Sequence, residues 1–470
     1  MKTKALIIGA GPCGMSAAFG LSSKGLDAVV VEKNSYIGGL ASTLSFGGYK
    51  TDIGPHRFFS KNKYLYDMIE DLLKQDWIRV DRLTRFYIRE KFFMYPVDIA
   101  DTLKNLGFIG SFSVMRDYSI QKIKNSFSKP EIKSFEDKIV SDFGRALAEL
   151  NMLNYTEKIW GLPCSQISPD WATQRIKDLS LLEVLKKALN LGGSKAKTLV
   201  DAFYYPKFGT KTIYEAMAER AQKAKIMTET VPIEIKHENG VIKSVIVENK
   251  DGKTEIEAES YISTMPLTEL VKLFSPALDP KILNAASALK YRSHVSLFAA
   301  IDTDSVFKDQ WIYLPDSYIP FGRIMEPKNF SKDLCEEGKT SLLLEFFCWF
   351  GDDIWSSSAD RLKNISVPWL EKIFKIKEDK IMFCEVHKEK FAYPVYDLGY
   401  KENLDSVKNA LSQFSNLQPA GRGGAFKYNN QDHAMEMGLL AAANIAEGVK
   451  KHNIDDIGSE QAYFEKGYVK

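Results

Sequence analysis

Cysteine is scarce in this chain. The five present, Cys13, Cys164, Cys335, Cys348 and Cys384, are odd in number and show no C-x-x-C spacing. That pattern suits neither a disulfide framework nor a zinc site, and the expectation is reduced thiols in a cytoplasmic protein. Only six histidines occur, scattered along 470 residues, so no metal site is expected. No apolar run reaches the ~18 residues that a membrane-crossing helix needs. An excess of charge is missing as well: 63 Lys and Arg against 61 Asp and Glu leave a formal net charge of +2, without a long block of one sign. Nothing there argues for a nucleic-acid partner. Internal repeats and low-complexity linkers are also absent, and a strand begins so early that no signal peptide is expected. What remains is ordinary globular composition, 45% hydrophobic and 12% aromatic. It is enough for large cores, and the length suggests about three domains.

The most informative stretch is Met1 to Glu32. Ala5-Leu6-Ile7-Ile8 is a short apolar run that predicts a buried parallel strand. Gly9-Ala10-Gly11-Pro12-Cys13-Gly14 follows, then a helical stretch from Met15 to Lys24 closed by Gly25, then a second strand, Ala28-Val29-Val30-Val31, ending at Glu32. Strand, G-x-G-x-x-G, helix, strand and acid in that order are a dinucleotide-binding βαβ unit. Gly9 permits the tight turn, Gly11 lets backbone approach a pyrophosphate at the helix N-terminus, and Gly14 lets helix pack on strand. Glu32, 21 positions after Gly11, is placed to accept ribose hydroxyls, which argues against a 2′-phosphate and hence against NADP.

Further on, Phe46 to Asp52 predicts a hairpin around Gly47-Gly48, and Tyr64 to Leu73 a helix. Ile78 to Arg89 alternates like strands. From about Ile99 to Val200 the pattern is mostly helical, with helices expected at Phe135–Leu153 and Leu179–Leu191. Thr212–Ala224 predicts another helix. Thr230–Ile235, Val241–Glu248 and Thr254–Glu257 predict a small antiparallel sheet, and Ser260–Thr264 a return strand of the dinucleotide domain. Ser293–Ile301, Trp311–Tyr313, Ser341–Cys348 and Ile381–Ala392 predict a second sheet, and Asp432–Lys451 a final helix. The fold class expected is therefore α/β: a Rossmann-type dinucleotide-binding domain assembled from residues 1–75, 201–280 and 411–470, a helical insertion over 99–200, and an antiparallel β-sheet substrate domain from 281–410 with strands from 76–98.

Gly38-Gly39-Leu40-Ala41-Ser42 resembles the second glycine signature of the FAD-binding amine oxidase superfamily, which selects FAD over NAD as the expected cofactor. Within that superfamily the chain resembles the UDP-galactopyranose mutases. Gly54-Pro55-His56-Arg57-Phe58 is similar to their G-P-H-x-F loop. Tyr95-Pro96-Val97-Asp98, Tyr155-Thr156-Glu157-Lys158-Ile159-Trp160-Gly161, Tyr291-Arg292-Ser293 and Tyr393-Pro394-Val395 resemble further motifs in the same order. So do Phe321-Gly322-Arg323-Ile324-Met325-Glu326 and the closing stretch from Gly421-Arg422 through Tyr428 to Asp432. The chain departs from them in a longer helical segment after Arg175, in Phe321 for a tyrosine, and in Asn430 for an acid. The segment Trp171 to Leu181 resembles protoporphyrinogen-oxidase-like relatives instead.

The mutase resemblance implies a redox-neutral interconversion of the pyranose and furanose forms of a UDP-type sugar at N5 of reduced flavin, in glycan biosynthesis. It implies His56 beside the flavin as a catalytic residue, with Arg175 and Arg292 holding the diphosphate by bidentate guanidinium contacts. Tyr155 is expected to stack on uracil, Trp160 to wall the sugar, Tyr428 to bond the diphosphate, and Arg323 to join the substrate site. Gly9, Gly11, Gly14, Glu32, Gly38, Gly39, Leu40, His56, Val231, Gly421, Arg422 and Met435 are the expected FAD contacts. The partner expected is a small nucleotide sugar, with a homodimer left open. Two alternatives stand beside this. One is an FAD oxidoreductase of the protoporphyrinogen oxidase, desaturase or amine oxidase type, removing hydride from an apolar or amine substrate. The other is a flavin-bound binding protein without chemistry.

Overall fold

The structure is a computed structural model and describes residues 1–60, 62–95, 99–175 and 202–458. Strand β1 (Lys2–Ile8), helix α1 (Pro12–Ser23) and strand β2 (Ala28–Val31) form the βαβ unit. β1 pairs parallel with β2, and β2 with β3 (Ala224–Met227). Ala5–Ile8 of β1 and all of β2 are apolar and almost fully buried, as strands covered on both faces must be. On the other side lie β4 (Val231–Glu238), β5 (Val241–Asn249) and β6 (Gly252–Ser263). β6 has two lives. Its first residues pair antiparallel with β5, and its last seven pair parallel with β1, from Lys2 opposite Glu257 to Ile8 opposite Ser263. Leu417–Pro419 adds a strand along the end of β6. Helix Gln431–Glu447 packs against α1, with Gly20 facing Ala442 and Leu439.

A second, seven-stranded sheet runs in the order Ile381–Pro394, Tyr291–Ile301, Thr340–Cys348, Arg323–Met325, Trp311–Tyr313, Thr84–Ile88, Lys91–Met94. We label Tyr291–Ile301 β7, Arg323–Met325 β8, Thr340–Cys348 β9 and Ile381–Pro394 β10. Over this sheet sits the helical insertion: α2 (Ile99–Phe127), then Phe135–Phe143, Leu153–Trp160 and Asp170–Arg175.

Several expected boundaries move. The helix expected from Phe135 to Leu153 breaks at Gly144, at φ +77°, where a Cβ would crowd the backbone of Tyr118. The helix expected over Thr212–Ala224 is Lys211–Arg220, and Ala224 instead opens β3, too short and too polar for alternation to show. The separate strands expected at Thr254–Glu257 and Ser260–Thr264 are one strand, β6. The last helix stops at Glu447, capped by Gly448 at φ +71°. The helix expected over Leu179–Leu191 lies outside the described residues.

Candidate active site

A cavity of about 710 Å³ lies between the parallel sheet, the second sheet and the helical insertion. Its first wall is backbone. Gly9, Gly11, Gly39, Leu40 and Glu32 line it. Gly9 sits at φ +100° under Thr264, and a Cβ on Gly14 would run into the Gly9 carbonyl oxygen. Gly38, at φ +100°, holds the second glycine turn by donating from its N–H to the Ala10 carbonyl (2.8 Å). A Cβ on Gly39 would sit 3.0 Å from the Gly11 Cα, so the two glycine turns lie against each other. No side chain caps α1 and no acid occupies its first turn, which leaves its N–H groups and dipole for an anion. Glu32, almost fully buried, accepts from the Ala10 N–H (2.8 Å) and the Asn34 N–H (2.9 Å), fixing its carboxylate at the cavity edge. Val231, Gly421 and Arg422 also line the cavity. This cradle of bare backbone and one anchored acid fits a flavin dinucleotide. Gly14 and Gly38 act from behind it. Met435 corrects the expected set: it is fully buried in the core under the helix Gln431–Glu447, while Ala434 reaches the cavity.

The opposite wall is made of side chains. Tyr155, Trp160, Trp171, Tyr313, Tyr393 and Tyr428 line it. Tyr393 and Tyr428 stack (5.4 Å, 17°), and Trp171 meets Trp160 and Tyr428 edge-on at 4.8 Å. Arg422 lies over both stacked tyrosines, 5.2 and 5.3 Å from their ring centres, and donates to the carbonyls of Asn429 (2.6 Å from Nη2) and Ala392 (3.1 Å). Burial, with Arg422 and Arg323 near, pulls His56 down to about 4, so its ring is neutral at neutral pH. Burial pushes Tyr155 well above the usual tyrosine range, so it keeps its proton. Four buried polar atoms of the lining residues have no hydrogen-bond partner among the described residues: His56 Nδ1, Trp160 Nε1, Trp311 Nε1 and Asn429 Oδ1. Unsatisfied polar groups on residues that line a cavity mark it as a candidate ligand site.

Arg323 lines the cavity, as expected, but it is not a free cation. It forms a bidentate pair with Glu345, from Nε and from Nη2 (2.8 Å), and Glu345 Oε1 also meets His294 Nε2 at 2.9 Å. Burial works against charge on Glu345, yet Arg323 and His294 hold it down to about 2. The three come from β8, β9 and β7, adjacent strands of one sheet. Gly54 presses on this group, since a Cβ there would sit 2.7 Å from Glu345 Oε1. Sequence reasoning missed His294, Glu345 and Trp311.

Arg292 overturns an expectation. It does not line the cavity. Its Nε donates to the Ile159 carbonyl and its Nη2 to the Phe347 carbonyl, both at 2.9 Å, and its guanidinium lies 4.6 Å from the Trp349 ring centre. It fills the space left by Gly161, at φ +64°, and so clamps the end of helix Leu153–Trp160 to the sheet. Arg175 ends the helix Asp170–Arg175, and its side chain lies outside the described residues. Phe321 is fully buried in the core behind the sheet. No cluster of potential metal ligands occurs among the described residues.

A family model described as flavin containing amine oxidoreductase matches residues 131–446, and one described as NAD(P)-binding Rossmann-like domain matches 7–72. Among solved structures, a reduced UDP-galactopyranose mutase superposes with TM-score 0.83 at 22% identity, covering 98% of each chain. A protein from Exiguobacterium sp. 255-15, described provisionally as a protoporphyrinogen oxidase, superposes with TM-score 0.73 at 17% identity, covering 95% of this chain and 99% of that one. These likenesses establish the fold. A curated relative, 1-hydroxycarotenoid 3,4-desaturase of Flavobacterium sp. (strain P99-3), is 47% identical over 55 residues, 12% of this chain. The matches to this and two further curated relatives span only 11–21% of those proteins' lengths.

Proposed function

We propose, from the premise that the chain belongs to the flavin containing amine oxidoreductase family and uses FAD, that it interconverts the pyranose and furanose forms of a nucleotide sugar. The observation that carries this reading is the charge balance of the cavity. Its three lining carboxylates are all engaged: Glu32 by backbone N–H groups, Glu269 by Lys272 (2.8 Å) and Glu389 by His387 (2.9 Å). Arg57 and Arg422 line the same space bonded to carbonyls or stacked on rings, with their charge uncompensated by a contacting carboxylate among the described residues. A guanidinium without a carboxylate partner attracts a diphosphate and repels an ammonium group. That favours a nucleotide sugar over an amine.

Bound FAD supplies the covalent and electron-transfer chemistry. The protein's own residues place and shield the substrate. Tyr155 offers a protonated, half-buried ring to a nucleobase. Trp160 Nε1 and Asn429 Oδ1 offer a donor and an acceptor to sugar hydroxyls. Neutral His56 leaves Nδ1 to hold or receive a proton beside the cofactor. Arg323, pinned by Glu345, contributes a planar donor edge whose net charge is cancelled.

A second reading has one observation of its own. Phe86, Tyr95, Tyr155 and Tyr313 pack with ring centres 4.9 to 6.4 Å apart, forming an aromatic patch suited to an apolar substrate of an oxidoreductase. One experiment separates the two. The flavin is reduced anaerobically, UDP- and dTDP-hexoses are added, and the flavin spectrum and the sugars are followed together. The expected result is a product of equal mass and new retention while the flavin stays reduced. Absence of any isomer, with oxidised flavin bleached by a polyene or porphyrinogen, would replace the first reading by the second.

A further inference from the structure

We propose that the outer face of α2 is a docking surface for an anionic lipid bilayer. Gly107, at φ +69°, divides α2, so the long second part runs on to Phe127 as its own helix. Its inner face is defined by buried Tyr118 and by Asn125, which donates to the Ser141 carbonyl (2.9 Å). Phe112, Ile120, Ile123 and Phe127 are 64, 43, 57 and 89% exposed. At ~100° per residue these four fall within about a quarter of the helix circumference, opposite Tyr118 and Asn125. Single exposed apolar residues are ordinary, but four large ones on one quarter of a helix, grouped around the exposed Arg116, mark an interaction surface.

Charge selects the occupant. Residues 110–130 carry Arg116, Lys122, Lys124 and Lys129 against Asp117 alone, a net of +3 within a chain whose whole balance is +2. Asp117 faces inward and accepts from the Ala146 N–H (2.8 Å). The four cations are exposed, and the neighbouring ion pairs Lys138–Asp142 and Arg145–Glu136 do not involve them. Phenylalanine and isoleucine on one face with lysines beside them is the pattern of a helix lying in the interfacial plane of a membrane. A second copy of the same face would bring like charges together, which disfavours self-docking. No described helix is long and apolar enough to cross a membrane, so the contact is superficial. The proposal rests on α2 alone and not on the substrate reading.

The test is flotation of the flavin-loaded protein with vesicles of phosphatidylcholine, and of phosphatidylcholine mixed with phosphatidylglycerol. Binding to the anionic vesicles only, weakened by salt, is expected. Phe112→Ser with Phe127→Ser, and separately Lys122→Glu with Lys124→Glu, should each lower vesicle binding roughly tenfold while the flavin spectrum stays unchanged. Two results overturn the proposal. One is no binding of the native protein to anionic vesicles. The other is sedimentation showing that Ile123→Glu splits a dimer while vesicle binding persists, which would make the face an interface between two copies.

Discussion

The cofactor wall and the aromatic wall of the cavity bind by different means. The first is backbone: two glycine turns, the open end of α1 and one acid fixed by two N–H groups, all within residues 9 to 39. The second is side chain: rings and guanidiniums brought together from residues as far apart as Phe86 and Tyr428. A backbone cradle tolerates no added atom, because its complementarity is steric and local. A side-chain wall can lose a member and keep its shape, provided no buried charge is orphaned. The contrast ranks what substitutions should do.

Gly14→Val should act most severely. The added carbons collide with the Gly9 carbonyl and with Ile7, and a loss of about 4 kcal/mol or more is expected. The flavin-to-protein absorbance ratio and the melting temperature report it. Retention of stoichiometric flavin would break the comparison. Arg323→Ala comes next, because it leaves Glu345 buried, with only His294 beside it. Loss of one partner of a buried pair costs about 3–5 kcal/mol. Adding Glu345→Leu should restore much of the melting temperature, whereas a further drop would show that the carboxylate does not depend on Arg323. Trp160→Phe removes a lining donor and keeps most of the ring. Nucleotide-sugar affinity, read by titration calorimetry, should weaken by about tenfold, near 1.4 kcal/mol, with flavin content unchanged.

Two effects on pH dependence oppose each other. Burial pushes Asp432, in the first turn of the last helix, up to about 8. The folded chain then holds a proton that the unfolded chain has released above about 4, so stability falls as pH rises from about 4 to 8. His56, held down at about 4, does the reverse: stability falls as pH drops from about 6.5 toward 4. Asp432→Asn should raise the melting temperature at pH 9 by several degrees relative to the native chain and change it little at pH 5. Equal shifts at both pH values would mean that Asp432 is ionised throughout.

The same contrast explains what could be read before the structure. The βαβ unit was legible because its function depends on small residues at fixed local spacing. Tyr155, Trp160 and Tyr428 were legible through motif likeness, and they do line the cavity. Arg292 belongs to an equally clear motif, yet its Nε and Nη2 are bonded to two carbonyls and its guanidinium lies against a tryptophan; a motif names a position and not the direction of a long side chain. The Arg323–Glu345–His294 group left no local trace, because its members stand 22 and 51 residues apart and meet only when β7, β8 and β9 pair. β3 escaped because four half-buried residues carry too little alternation, and only the neighbouring β2 makes them a strand.

The double pairing of β6 has a consequence for how the chain is made. β1 is made well before the strand beside it: its partner on one side is residues 257–263, and the strand that completes the sheet beyond them is Leu417–Pro419. At about 5–20 residues per second, synthesis leaves that edge open for on the order of tens of seconds. Until residues 257–263 are made, β1, apolar over Ala5–Ile8, exposes an unpaired edge, a template for any other extended chain. The nascent protein is therefore expected to depend on a holding chaperone until residues 257–263 emerge, and ribosome-bound chains ending before residue 257 should be markedly more aggregation-prone than the finished protein.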